Sequence, residues 1–277
     1  MGFRVKTNTS SIAAQRALSN NNRDAEKSLS KLAAGSRIVS SADDAAGLAI
    51  SNKLDGHIRS IKQSNRNAND GISMIQVAEG GLNEQASILV RLRELAIQAS
   101  SDTVSDTERS FTDMEYHNLK LEMQRVAEVT EFNGIKLLDG EGEKLDFQIG
   151  INNNQFQDRI TYDRAAQNAN IEFLGISELT VASKEGAQGS LEKIDNAITT
   201  MAKERASLGA LQNRLMSTSN NLEIAEEGLT SANSRIKDLD YASETAVNAR
   251  NNILNQAGTM VLAQANQSGS NALRLIG

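Results

Sequence analysis

Between Ser190 and Lys237 every seventh residue is large and apolar: Ile194, Met201, Leu208, Leu215, Leu222, Leu229 and Ile236. None of the 277 residues is a proline, so nothing of that kind interrupts the run. A strict seven-residue repeat keeps one seam on one side of a helix and demands another helix against it along its whole length. At ~1.5 Å per residue the segment reaches roughly 70 Å. Few folds accommodate such an element.

A matching ladder stands upstream. Leu54, Ile61, Ala68, Ile75, Leu82, Leu89 and Ala96 keep the same period, and Ile58, Ile72 and Ala86 widen the stripe. Two ladders of equal length on either side of a turn-rich middle are best satisfied by antiparallel pairing. The expected fold is mainly α: a long antiparallel helical rod, coiled-coil-like, with a small β-hairpin region and paired terminal helices. Absence of tryptophan and only 3% aromatic residues agree with long helices rather than a bulky globular core.

Other totals narrow the function. With no cysteine there is no disulfide, thiol nucleophile or thiolate metal site. A net charge of −6 and a pI near 5.2 lack the basic footprint of a nucleic-acid binder. Residues 1–6 carry no signal-peptide core, Lys6 breaks the myristoylation pattern, and no apolar run is long enough for membrane insertion. Any export would use a route that reads no such signal.

Along the chain, residues 7–34 form a first helix with a thin stripe of Leu18, Ala25, Leu29 and Leu32. Gly35 opens a connector, and Ser41 with Asp44 three residues on is expected to cap the first ladder helix. Gly71, Gly80 and Gly81 should weaken that helix by roughly 1 kcal/mol each. Ser105 and Glu108 form a capping box for a shorter helix whose Tyr116, Leu119, Met123 and Val126 share one face. From about 132 to 182 the period changes to two: Leu145, Phe147 and Ile149, then Phe156, Asp158, Ile160 and Tyr162, predict a hairpin. After a break at 237–241, the last helix runs to roughly Asn266, and no charged residue lies between Arg250 and Arg274. That stretch is too polar for lipid and too charge-free for open water. The terminal stripes at 7–34 and 242–266 are too narrow to hold helices alone in water. Both are expected to stay disordered in the free chain and to fold when copies meet. Leu18, Leu29, Leu32, Val247, Leu254, Val261 and Leu262 are the candidate polymerisation residues.

Several ordered stretches carry a resemblance. Leu32-Ala33-Ala34-Gly35-Ser36-Arg37-Ile38, Ser41 to Gly47, Arg66 to Gly71, Arg91 to Ala96, Ser234 to Asp238 and Gln256 to Asn266 are similar to bacterial flagellin. The resemblance covers about residues 1–180 and 185–277. It implies a filament subunit exported unfolded through the flagellar type III apparatus and ending outside the cell in the flagellum. Implied partners are further copies of the chain, an export chaperone at the C-terminal region, and the filament cap and hook-junction proteins. The implied division is an inner core of 1–40 with 242–277 and an outer core of 41–241. Because the β region returns to the rod by about Ser190, the further outer domains of many members are absent, which implies a thinner, smoother filament. The family's motif for mammalian Toll-like receptor 5 maps onto Arg91, Leu95 and Glu115. Val90 and Leu92 depart from the glutamine and valine common in receptor-activating members.

The residues offer no competing chemistry. His57 and His117 sit on different helices outside any metal-binding spacing, and no phosphate-binding glycine loop occurs. Arg59, Lys62 and Arg66 form a basic stripe, read either as a solvated face or as a partner for a neighbour's acidic face. The rival readings are a hook–filament junction protein and a helical signalling rod of chemoreceptor type. No enzyme, cofactor or metal centre is expected.

Overall fold

Side-chain partners between the two ladder helices fix their direction. The computed structural model describes residues 7–274, with side chains to residue 267. Its helices are α1 (Thr9–Ala34), α2 (Ala45–Ala99), α3 (Asp106–Val129), α4 (Lys184–Lys237) and α5 (Tyr241–Arg274). Four short strands lie between α3 and α4: β1 (Glu131–Phe132), β2 (Ile135–Lys136), β3 (Leu145–Gln148) and β4 (Arg159–Tyr162). The chain forms two units, Arg59–Glu227 and Met1–Ile58 with Gly228–Gly277.

Within Arg59–Glu227, Lys62 meets Glu226 at 3.4 Å, Asn65 meets Ser219 at 2.6 Å, and Arg93 meets Asp195 at 2.6 Å. Partner numbers fall along α4 as they rise along α2, so the helices run antiparallel, as the ladders require. Ile61, Ala68, Ile75, Leu82, Leu89 and Ala96 are buried on α2, and Ile194, Met201, Leu208 and Leu215 on α4. Leu222 is half-buried. α3 lays Tyr116, Met123 and Ala127 into the same core, with Leu119 packed at its edge. Its capping box is present: Ser105 N donates to Glu108 Oε2 at 2.8 Å, and Glu108 N to Ser105 Oγ at 3.4 Å.

The middle of the chain closes this core. Asn133 and Gly134 both take positive φ, 52° and 77°, which suits the two-residue turn between β1 and β2. β3 and β4 pair antiparallel with Leu145 opposite Tyr162 and Phe147 opposite Ile160, so the expected hairpin forms. Phe156 is a correction: it belongs to the connecting loop, not to the inward stripe, and is 92% exposed. The strap after β4 buries Ala169, Leu174, Ile176, Leu179 and Val181. Polar side chains set among apolar helix positions hold it. Gln85 Nε2 donates to the carbonyls of Met123 and Ala169, and Lys120 Nζ to those of Ser177 and Leu179, both at 2.7 Å. Burial pushes the Lys120 ammonium below its ordinary pKa.

The other unit is held at its connectors. Gly35 ends α1 in the left-handed region (φ 65°), and Ser36 bridges antiparallel to Asp238. Arg37 N donates to Lys237 O at 2.7 Å, and Leu239 N to Gly35 O at 3.2 Å. Asp55 accepts from Asn233 at 2.7 Å and from Lys237 at 3.3 Å, and Leu54, Leu229 and Ile236 are half-buried. The cap of α2 is Asp44 rather than Ser41: its Oδ1 accepts from Gly47 N at 2.8 Å. Asp43 is occupied by the preceding turn, accepting from Val39 N and Ser40 N, and those bonds lower its pKa.

Candidate assembly surfaces

The terminal segments expected to be disordered are drawn as helices, and α1 and α5 pack against each other. Their seam is unusual in composition. On α1 the buried or half-buried positions include Ser11, Ala14, Leu18, Asn21, Ala25, Ser28 and Leu32, with Lys31 beside the last; on α5 they include Val247, Asn248, Asn251, Asn255, Gly258, Leu262 and Ala265. Both sets keep three- and four-residue spacing, as paired helices require. Small and amide side chains dominate. Gly258 admits Leu18, whose Cδ1 lies 3.2 Å from where a Cβ would stand. Asn8 Nδ2 donates to Ala265 O at 2.8 Å, Ser11 Oγ to Asn266 Oδ1 at 2.7 Å, and Tyr241 Oη to Leu32 O at 3.1 Å. Ser28 Oγ, Asn248 Oδ1 and Asn255 Oδ1 are buried with no hydrogen-bond partner.

Several large apolar side chains of this pair lie on its outer faces. Ile12, Leu29, Ile253, Leu254, Met260 and Val261 are exposed, Met260 by 73% and Ile253 by 65%. Of the candidate polymerisation residues, Leu18, Leu32, Val247 and Leu262 are half-buried within the pair, whereas Leu29, Leu254 and Val261 face outward. On α5, Ile253, Ala257 and Met260 recur at helical spacing beside Leu254 and Val261, giving one exposed apolar stripe in the charge-free stretch. Exposed apolar surface rimmed by polar residues is the type of surface that serves protein–protein contacts.

A second surface lies on α2 and α3. Arg91 donates through Nε and Nη2 to Glu115 Oε1 at 3.1 and 2.8 Å, and through Nη1 to Glu94 at 2.9 Å. The Glu115 hydrogen bond, then that to Glu94, raises the Arg91 pKa. Leu95 does not share this surface: it is 1% exposed and packs in the core with Leu92, Ala96 and Ala99, whereas Arg91 lies at the edge of that buried stripe. Val90, Ile97, Phe111, Met114 and Leu121 stay exposed on the same two helices. The basic stripe is largely engaged within the chain, Lys62 with Glu226 and Arg66 with Gln63. His57 is half-buried, His117 is exposed, and among the described residues no cluster of three metal-ligating side chains occurs.

Comparison with known proteins gives this arrangement its context. Family models for the bacterial flagellin N-terminal and C-terminal helical regions match residues 5–143 and 191–276. The flagellin of Halalkalibacterium halodurans is 38% identical, covering 98% of this chain and 99% of that one. The flagellin of Bacillus subtilis is also 38% identical, covering 99% and 100%. The crystal structure of Bacillus cereus flagellin is 29% identical, with a TM-score of 0.50 over 57% of this chain and 88% of that one. The chain belongs to the bacterial flagellin family, the structural subunits of the flagellar filament.

Proposed function

We propose that this filament subunit polymerises by burying the outward apolar faces of α1 and α5 among identical copies, and that the terminal pair becomes fully ordered only there. Residues 1–40 with 242–277 then form the inner core of the filament, and 41–241 the outer core. The observation that carries this reading is the distribution in the pair: amides and small residues fill most of the seam beside Leu18, Leu32, Val247 and Leu262, while Leu29, Ile253, Met260 and Val261 are outside. A helical tube needs one face docking on a different face of the next copy, and an apolar stripe without charge meets that need. The subunit leaves the cell unfolded through the flagellar type III apparatus. An export chaperone shields the C-terminal region, and the cap and hook-junction proteins bound the filament. Toll-like receptor 5 recognition falls to Arg91 and Glu115, since Leu95 is buried.

The test is Met260→Glu combined with Val261→Glu, beside deletions of 1–40 and of 242–277. Electron microscopy is expected to find no filaments, while circular dichroism of the substituted subunit stays that of the parent. Amide exchange at Val247 and Leu262 should be fast in the subunit and slow in the filament. Normal filaments from all three variants, or slow exchange in the subunit, would refute the reading.

A further inference from the structure

The loop between β3 and β4 is held more rigidly than a solvent-exposed turn requires, and it carries the chain's most exposed large hydrophobic among the described residues. Asp158, itself buried, accepts from Asn154 N at 2.9 Å and from Asn152 N at 3.4 Å. Asn154 Oδ1 accepts from Phe156 N at 3.0 Å and from Gln157 N at 3.4 Å. Gln148 Nε2 donates to the carbonyls of Gly150 and Asn152 at 2.9 and 2.8 Å. Arg159 joins the loop through Gln148 Oε1 at 3.2 Å and Asn153 Oδ1 at 2.5 Å. The base is tied to α2, with Ser64 Oγ donating to Gly150 O and Asn67 Nδ2 to Gln148 O. Gly150 is obligatory, because a Cβ there would lie 1.8 Å from Asp158 Oδ1. The Asn154 bonds hold the backbone at Phe156 itself and the others brace the loop and its base, while the ring is 92% exposed.

We infer that Phe156 is an anchor between subunits, inserted into a second copy of this chain. Prior ordering of the loop removes the entropy that docking would otherwise cost, and a rigid aromatic is the side-chain type that dominates interface energies. The occupant is a sister copy on grounds of charge. Residues 151–157, Ile-Asn-Asn-Asn-Gln-Phe-Gln, carry no charge, like the stretch between Arg250 and Arg274. Two copies of a −6 chain meet with least repulsion over neutral, amide-rich surface, whereas a partner of opposite charge would be met by charged side chains. The inference rests on the filament-subunit reading and adds a contact in the Arg59–Glu227 unit to those of the terminal pair.

The chain has no tryptophan, so Phe156→Trp creates a single fluorescent reporter at the tip. In the dissociated subunit its emission should be that of water-exposed indole, fully open to acrylamide quenching. On polymerisation the emission should move to shorter wavelength and the quenching constant fall several-fold. Phe156→Ala should raise the critical concentration for assembly roughly tenfold or more, as loss of one buried aromatic predicts. Its melting temperature as a subunit should be unchanged, and Phe156→Leu should fall between. Filaments in which the tryptophan stays open to quenching, or an unchanged critical concentration for Phe156→Ala, overturn the anchor alone. A parent chain that never polymerises overturns the filament reading instead.

Discussion

Gly80 and Gly81 are neighbours in the middle of α2 and should respond oppositely to the same substitution. A Cβ at Gly80 meets nothing within 4 Å. Gly80→Ala therefore collects the helix-propensity difference, about 1 kcal/mol of added stability. A Cβ at Gly81 would stand 2.6 Å from Thr130 Oγ1 and 2.8 Å from Leu138 Cδ1. Neither neighbour can retreat cheaply. Thr130 Oγ1 donates to Val126 O at 2.6 Å, and Leu138 is fully buried with its carbonyl accepting from Ala169 N at 3.0 Å. Overpacking of such a site costs about 1–3 kcal/mol, which cancels or exceeds the propensity gain. The two variants should thus differ by roughly 1–3 kcal/mol in the unfolding free energy of the unpolymerised subunit. Urea unfolding with an unchanged m-value would measure it. Combining Gly81→Ala with Thr130→Ala should recover part of the loss, a coupling that a double-mutant cycle isolates. Equal stabilisation by both alanines would mean that α2 and the segment around the β1–β2 turn, Thr130 to Leu138, do not close as described.

Two further outcomes follow from burial. Leu215→Ala, at a fully buried ladder position, should cost about 2–5 kcal/mol in the same urea assay. Leu222→Ala, one repeat later and half-buried, should cost roughly 1–2 kcal/mol, and equal losses would contradict the tapering of the seam. Burial raises the Tyr116 phenol to about 12 and pushes Tyr162 up as well. A raised folded-state pKa contributes stability that is complete below the ordinary value near 10 and is lost as pH rises toward 12. For Tyr116 that loss is on the order of 3 kcal/mol. Tyr116→Phe should flatten the decline in urea midpoint between about pH 10 and 12. An identical decline in parent and variant would rule out Tyr116 as its source.

What the sequence discloses depends on whether a residue's own spacing carries the information. The ladders do: apolar side chains seven apart have one physical solution, and Ile61 to Ala96 and Ile194 to Leu215 are buried accordingly. Asn133-Gly134, the Ser105–Glu108 box and the β3–β4 alternation are likewise local. Lys120 and Gln85 were missed, although a signal existed. Each is a polar residue on a buried helical face, Lys120 four after Tyr116 and Gln85 three after Leu82. Their partners are backbone carbonyls of a strap with no periodicity, which spacing cannot reveal. Gly71 and Gly81 read as local weakness, yet each makes room: a Cβ at Gly71 would stand 3.1 Å from Phe147 and 3.2 Å from Leu215. Phe156 misled because alternation continues through a hairpin only while the strands stay paired. Leu95 belongs to a motif read from resemblance, and its place on the buried stripe with Leu92 and Ala96 puts it in the core while Arg91, about 40° round the helix, sits at the stripe's edge.

The chain uses a helical repeat in two physically opposite ways. Along α2 and α4 of the Arg59–Glu227 unit the apolar residues meet each other, so pairing removes them from water within one molecule. Along α1 and α5 the repeat positions are largely asparagine, serine, alanine and glycine, and pairing leaves Ile253, Met260 and Val261 in water. Asparagines in a helix seam set register at a cost in stability, and Asn248 and Asn255 each keep a buried oxygen without a donor. The first pair therefore hides its large apolar residues within one chain, while under the assembly proposed above the second gains further driving force when other copies cover its exposed residues. On the assembly proposed above, binding that stabilises only the ordered state shifts the equilibrium by mass action, so order at the termini should rise with the local concentration of subunits. Folding of the middle and completion of the ends would then be separate steps, the second waiting on the surface that a growing filament supplies.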